Sequence, residues 1–278
     1  VKAIQTDLGA PQWILERVAR AVRIPQPLLE KEAVGAALGS RMEIRRIIRD
    51  LLEDGRLMYT YELGTSFVCE SYMGLTRLGR IIVVIPPLCS NSMLKPGEAE
   101  VVMRLGAAFG SGRHPTTRMA IAAIEDILAP QGRTRFRPGE WVLDVGSGTG
   151  ILGLAALRLG MDKGVATDID PCAVFDTREN AALNGMEHRL SVSDTPIPEI
   201  QGCFSLILAN LRLPTLMEAM PVFDRVISRP GHMIVTGIQR HESDAMEERA
   251  REYGFECTGK KSENKWACMI FLQKTIRS

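Results

Sequence analysis

One stretch constrains the fold of this chain more than any other: Trp141-Val142-Leu143-Asp144-Val145-Gly146-Ser147-Gly148-Thr149-Gly150. An apolar, partly β-branched run leads into a turn with glycine at every second position. The turn opens onto residues 151–159, whose apolar spacing is helical. A strand that feeds a helix through such a turn is the first half of a βαβ unit, and its second strand has to return parallel to the first. The rest of the chain keeps that rhythm. Strand patterns fall at 141–145, 164–167, 189–192, 204–209, 232–236, 255–258 and 266–272, and helical patterns at 151–159, 172–183, 215–227 and 242–253. No helix separates the last two strands, which are joined by the polar run 259–265, so they are expected as an antiparallel hairpin on a mostly parallel sheet. The prediction is an α/β, Rossmann-like domain with a seven-stranded sheet over residues 91–278.

Residues 1–90 read differently. Helical patterns at 13–22, 28–38 and 41–52, with Ser40 placed to cap the third, precede strand-like runs at 57–63 and 67–72 around Gly64-Thr65. That order predicts a small winged-helix-like domain, a variant of the helix-turn-helix. The boundary is expected between Gly79 and Pro96, with the apolar run at 81–85 a strand of either domain.

Composition excludes several classes. With 45% hydrophobic and 24% charged residues, a chain of 278 is globular, neither disordered nor collagenous. The run at 81–85 stops at Pro86-Pro87, far short of the ~20 residues a helix needs to cross a bilayer. The first 25 residues show no secretory signal, so no membrane contact and a cytoplasmic location are expected. Cys69, Cys89, Cys172, Cys203, Cys257 and Cys268 are dispersed without a CxxC pair, and the four histidines form no zinc-spaced cluster. Reduced thiols and no metal are the expectation. A net charge of +1 gives no global pull toward nucleic acid.

Glycines let a backbone approach a ligand closely at a helix N-terminus, which makes Gly146, Gly148 and Gly150 candidates for a cofactor site. Two residues narrow the ligand. A dinucleotide fingerprint needs glycine where this chain has Ile151, and Asp144 puts a carboxylate at the strand end, which repels a pyrophosphate and suits an ammonium group. S-adenosylmethionine carries an ammonium and no phosphate. Asp168, at the tip of the second strand, is placed to accept both hydroxyls of a ribose. Asp194, after the third strand, is placed to meet an adenine ring, or else to form the turn before Thr195-Pro196. Asn210 ends the apolar fourth strand and leaves two readings open: a cap for the next helix, or an amide facing the cofactor's methyl group, its carbonyl accepting from an incoming amine. Upstream, Ala107-Ala108-Phe109-Gly110-Ser111-Gly112-Arg113-His114-Pro115-Thr116-Thr117 reads by itself as a flexible connection into a Thr-capped helix with Pro in its first turn.

Taken together, AFGSGRHPTT, DVGSGTGILGLAAL, TDIDP followed by REN and NG, and LILAN resemble the PrmA-type methyltransferases, which trimethylate large-subunit ribosomal protein eleven using S-adenosylmethionine. The resemblance covers residues 100–273. It implies a class I S-adenosylmethionine-dependent methyltransferase fold, with cofactor contacts at Thr117, Gly146, Asp168 and Asn210. It also implies that the loop carrying Phe109 and Thr117 folds over the cofactor, that Asn210 is the catalytic residue, and that the acceptor is a protein, a ribosomal protein among the candidates. The chain departs from the family's pattern at Leu211-Arg212, where Ile-Leu is usual, at Arg113, and throughout the first 90 residues.

The acceptor stays open. Methylation of a protein lysine or α-amine is the expected activity. RNA, DNA or a small molecule are alternative acceptors, and a DNA-binding regulator that only senses the cofactor is a further alternative. Arg41, Arg45 and Arg49 recur every four residues on one helical face, which suits phosphates. Yet Glu43, Asp50, Glu53 and Asp54 share that segment, and residues 1–95 hold 13 Lys and Arg against 10 Asp and Glu. A nicotinamide oxidoreductase is disfavoured by Asp144 and Ile151.

Overall fold

The computed structural model describes residues 9–21, 23–53, 56–62, 65–71, 75–87, 94–104, 112, 114–129 and 137–274. The chain divides into two compact units, residues 1–74 and 75–278. The division falls at Gly74 rather than near residue 90, because the apolar strand at 82–85 packs into the core of the second unit.

The first unit holds α1 (Ala10–Ala21), β1 (Arg23–Ile24), α2 (Gln26–Gly35), α3 (Arg41–Glu53), β2 (Leu57–Glu62) and β3 (Thr65–Glu70). The strands form an antiparallel sheet in the order β1-β3-β2, and β1 has no counterpart in the sequence-based expectation. Helical spacing supplies the core: Ile14 and Val18 on α1, Leu29 and Ala33 on α2, Ile44 and Ile48 on α3, closed by Leu57 and Val68. Ser40 caps α3 in a reciprocal box, its Oγ accepting the Glu43 N–H at 3.3 Å while Glu43 Oε2 accepts the Ser40 N–H at 2.8 Å. The arginine stripe on α3 is partly balanced from within. Glu30 on α2 is buried, and it accepts from Arg41 Nε at 2.9 Å and from Arg45 Nε at 3.0 Å. Burial pushes the Glu30 carboxyl up, but hydrogen bonds from Arg45, Arg41 and Gln26 outweigh it and hold the group below its ordinary range. Two of the three arginines that suit phosphates in the sequence therefore already face a carboxylate.

The second unit begins with a small sheet of β4 (Thr76–Arg77), β5 (Ile82–Ile85) and β6 (Ala99–Val102), in which β5 runs antiparallel to β4 and parallel to β6. The next helix, α4 (Pro115–Leu128), carries a wholly buried carboxylate, Glu125. It accepts the backbone N–H of Arg80 at 2.8 Å and those of Ile81 and Ile82 at 2.9 Å, so three donors of the β4–β5 turn are satisfied by one side chain. A Cβ at Gly79 would collide with that carboxylate. Glu125→Gln keeps one carbonyl oxygen but turns an NH2 toward backbone donors. It should cost about 1–3 kcal/mol of stability, read as a lower urea midpoint at unchanged slope.

The main sheet comprises β7 (Arg137–Val145), β8 (Met161–Thr167), β9 (Leu190–Ser193), β10 (Phe204–Asn210), β11 (Ile227–Gln239), β12 (Phe255–Glu263) and β13 (Trp266–Gln273). They are joined in part by α5 (Ile151–Arg158), α6 (Pro171–Leu183), α7 (Leu213–Val226) and α8 (Ser243–Glu252). The strand order is β12-β13-β11-β10-β7-β8-β9, with β13 antiparallel to both its neighbours and the other pairs parallel. The mostly parallel seven-stranded sheet with an antiparallel C-terminal hairpin is the one that the sequence predicts. Strand alternation sorts the side chains into two cores. Val142, Leu206 and Leu208 share one with α4 and α5, and Leu143, Val145, Ile207 and Ala209 share the other with α7 and α8. Cys69, Cys172, Cys203, Cys257 and Cys268 are free thiols, and Cys89 lies outside the described residues. Among the described residues no helix is long and apolar enough to cross a membrane.

Candidate functional site

The C-terminal ends of β7, β8 and β10 meet at one edge of the sheet, and a cavity of about 320 Å³ opens there. Gly146, Gly148, Asp168, Asp170, Asn210 and Leu211 are part of its wall. From this edge α5 leaves β7 toward one face while α7 leaves β10 toward the other, and such points of divergence are where parallel sheets hold ligands.

The glycine turn is held by bonds within the protein. The N–H groups of Gly146 and Ser147 donate to the Thr167 carbonyl at 2.8 and 3.2 Å, and that of Gly150 to the Ser147 carbonyl at 2.8 Å. Gly148 N–H donates to Asp168 Oδ2 at 2.9 Å. Gly146 has φ of +69°, which favours glycine, and a Cβ there would lie 2.5 Å from Leu211 Cδ2 and push that side chain aside. The turn therefore does not aim these donors at a ligand, as its sequence leads one to expect. It offers no cradle of N–H groups of the kind that holds a pyrophosphate.

What the turn offers instead is an acceptor. Asp168 Oδ1 takes the Asp170 N–H at 3.0 Å while Oδ2 takes that of Gly148, so both oxygens are fixed at the tip of β8. Each keeps further lone-pair capacity, which is what a ribose diol needs. Asp170 in turn caps α6, accepting the Cys172 N–H at 2.9 Å. Across the cavity stands Asn210, half-buried, its amide making no hydrogen bond with any described residue. It does not cap the next helix, since Arg212 occupies the cap position of α7 without a side-chain bond.

Asp144 lies outside this wall. Strand alternation turns it, like Val142, to the α5 side of β7, where Oδ2 accepts the Gly153 N–H at 2.8 Å. Gly150, the cap residue of α5, brings no side chain, so Asp144 caps the helix from the neighbouring strand. Burial above all pushes its carboxyl up to about 7, with the charge of Asp168 adding to the shift and the Gly153 bond opposing it. Asp144, expected at the strand end to face a ligand ammonium, thus has its carboxyl on the α5 side of β7 and outside the cavity wall.

Three other expected residues also lie outside the cavity wall. Gly150 stands behind the wall, pressed against Thr177, to whose Cγ2 a Cβ would come within 2.7 Å. Thr117 is buried in the first turn of α4, outside the wall. That helix is capped by His114, whose Nδ1 accepts the Thr116 N–H at 3.3 Å, and not by a threonine. Asp194 is exposed and outside the wall, and its neighbour Thr195 lines the cavity instead. Phe109 lies outside the described residues. Sequence reasoning misses Thr195, Ile197, Leu211 and Thr215, which help to complete the wall. The available signal is the two-residue repeat from Ser193 to Thr195, whose hydroxyls bond at 2.8 Å, and an apolar residue directly after Asn210.

The asparagines of the REN and NG segments hold the surroundings together. Asn184 Oδ1 accepts the Val102 N–H at 2.9 Å and its Nδ2 donates to the Val102 carbonyl at 2.7 Å. Asn180 treats Arg104 in the same way, at 2.8 and 3.3 Å, and also donates to the Thr149 carbonyl of the glycine turn at 2.9 Å.

The profile of the family described as Ribosomal protein L11 methyltransferase (PrmA) matches residues 70–274, nearly all of the second unit and almost none of the first. A curated ribosomal protein L11 methyltransferase from Geobacter sulfurreducens is 36% identical over 196 residues, which is 70% of this chain and 62% of that protein. One from Thermotoga maritima is 33% identical over 172 residues, 61% of this chain and 62% of that protein. The chain thus spans less than two thirds of the length of these relatives. Among solved structures, a ribosomal protein L11 methylase from Lactobacillus delbrueckii subsp. bulgaricus has a TM-score of 0.64 at 27% identity, covering 72% of this chain and 99% of that one.

Proposed function

Because the chain belongs to the ribosomal protein L11 methyltransferase (PrmA) family and its second unit has the class I methyltransferase fold, we propose that it is an S-adenosylmethionine-dependent methyltransferase acting on a protein nitrogen. One observation carries the reading. A single cavity brings together a carboxylate pinned by two backbone N–H groups, Asp168, and an uncommitted amide, Asn210, beside a turn whose own donors are taken. That donor set fits a nucleoside without phosphates. When bound, S-adenosylmethionine supplies an electrophilic methyl group on its sulfonium. Asp168 would accept the ribose hydroxyls, and Leu211, seated over Gly146, would exclude water from the turn. The Asn210 carbonyl would accept an N–H of the acceptor amine and leave its lone pair directed into the cavity. A lysine amine, with an ordinary pKa of about 10.4, would shed its proton to water.

The relatives' name makes ribosomal protein L11 the first acceptor to test. We read the first unit, three helices with a three-stranded sheet, as a winged-helix-like module that contacts the acceptor or another partner. The free thiols accord with a cytoplasmic setting. Calorimetric titration with S-adenosylhomocysteine should give one micromolar site. Asp168→Ala should weaken it about 100-fold, through the loss of two charge-assisted acceptors. Absence of binding by the wild-type chain would overturn the cofactor assignment.

A further inference from the structure

Three cations stand at the ends of adjacent strands on the side of the cavity away from Asp168. Arg212 lies two residues past β10, Arg240 directly follows β11, and Lys265 directly precedes β13. Backbone pairing fixes their juxtaposition: Leu211 N–H donates to the Thr236 carbonyl at 3.0 Å, Gln239 pairs with Trp266, and Arg240 N–H donates to the Lys265 carbonyl at 2.9 Å. All three side chains are exposed, and none has a carboxylate partner among the described residues. The Lys265 ammonium lies 5.3 Å from the centre of the Trp266 ring, an aromatic face and not a counter-charge.

Elsewhere on this unit several cations have a carboxylate partner, while exposed Lys163 and Arg178, which lie apart from one another, have an aromatic ring and a backbone carbonyl instead. Arg118 pairs with Glu263, Lys261 with Asp126, Lys260 with Glu247, and Arg229 with Asp224. Of the carboxylates near the three cations in sequence, Glu263 is thus occupied, and Glu242 accepts the Gln239 N–H at 2.6 Å. Asp244 stands exposed at the start of α8. The cavity edge is therefore polarised, with Asp168 and Asp170 on the ribose side and unmatched cations beyond Asn210.

Resting on the methyltransferase reading above, we propose that this basic rim of Arg212, Arg240 and Lys265 selects an acidic stretch of polypeptide beside the methyl-accepting nitrogen. Strands spaced about 4.8 Å apart put the β10 and β13 ends about 10 Å apart, the length of about three residues of extended peptide. Nucleic acid is the poorer match. Its affinity grows with the number of phosphates neutralised, and a net charge of +1 supplies no broader footprint around three cations.

The test uses the full chain saturated with S-adenosylhomocysteine and two fluorescent peptides, Gly-Asp-Asp-Lys-Asp-Gly and its counterpart with Asn for each Asp. Anisotropy at low salt should show the acidic peptide bound about tenfold tighter, with the preference fading as salt is added. The double variant Arg212→Ser, Arg240→Ser should lose the preference while keeping its thermal midpoint and its affinity for S-adenosylhomocysteine. Equal affinities, no binding of either peptide, or a preference that survives in the double variant would overturn the proposal. So would a single-stranded oligonucleotide that displaces the acidic peptide and binds tighter, which would hand the rim to nucleic acid. Failure of the methyltransferase reading would appear separately, as wild-type protein that does not bind S-adenosylhomocysteine.

Discussion

Asn210→Ala should lower kcat by about 100- to 1000-fold while changing the affinity for S-adenosylhomocysteine by less than about threefold. The asymmetry follows from what the amide touches. It makes no bond with any described residue, so its removal orphans no buried partner, and thermal stability should stay within about 0.5 kcal/mol of wild type. Asp168, the proposed ribose acceptor, is on another strand and keeps both of its backbone bonds. What the variant lacks is the acceptor proposed to hold the amine in line, and loss of orientation falls on the chemical step. Single-turnover transfer of a labelled methyl group to ribosomal protein L11, the acceptor proposed above, set beside calorimetry, checks both halves. Equal losses in turnover and in cofactor affinity would contradict the role. Asn210→Asp, which keeps an acceptor oxygen but loses the NH2, should fall between the two.

The second large effect is on stability and comes from Asp144. In the folded chain its carboxyl holds a proton up to about pH 7, whereas the unfolded chain releases it near the ordinary value of 3.8. Between those values the native state binds more protons than the unfolded one, so stability falls as pH rises, and the loss is complete above pH 7. At 1.36 kcal/mol per unit the ceiling is on the order of 4 kcal/mol. Asp144→Asn keeps a carbonyl oxygen for the Gly153 N–H and carries no charge to bury. Urea unfolding of both proteins at pH 5 and pH 8 should show the variant gaining on wild type by most of that amount as pH rises. A difference that does not change with pH would mean that the carboxylate is solvated in the native state after all.

Asp144 also shows where sequence stops being informative. The elements of the main sheet are legible because each answers one requirement of a buried parallel strand or an amphipathic helix. The apolar run at 204–209 becomes β10 at Phe204–Asn210, and the helical spacing at 151–159 becomes α5 at Ile151–Arg158. Asp168 and Asn210 are legible for the same reason, since each stands where an apolar strand stops. Asp144 is not, because the direction of an extended residue depends on which helix lies across that face of the sheet. β6 escapes for lack of length: Ala99-Glu100-Val101-Val102 has a charge at its second position and turn residues before it, and only its pairing with β5 makes it a strand. Glu125 is invisible as well. Nothing in an amphipathic helix announces that one of its carboxylates will serve the backbone of a turn more than 40 residues earlier in the chain.

Asn180 of α6 and Asn184, the residue that caps its C-terminus, have a further consequence. β6 is the last strand of its small sheet, and the outer edge of such a strand is a template on which another chain can add. Here that edge is closed by side chains. Asn184 and Asn180, one helical turn apart, each present an oxygen and an NH2 to the peptide groups of alternate residues, Val102 and Arg104, as a neighbouring strand would. A helix thus imitates a strand, and association through that edge is blocked without a fourth strand. The same helix starts at Asp170 in the cavity wall and grips the glycine turn through Thr177 and Asn180. A shift of α6 large enough to loosen the cavity would uncover the sealed edge, so protection of that edge and the shape of the ligand site depend on the placement of one element.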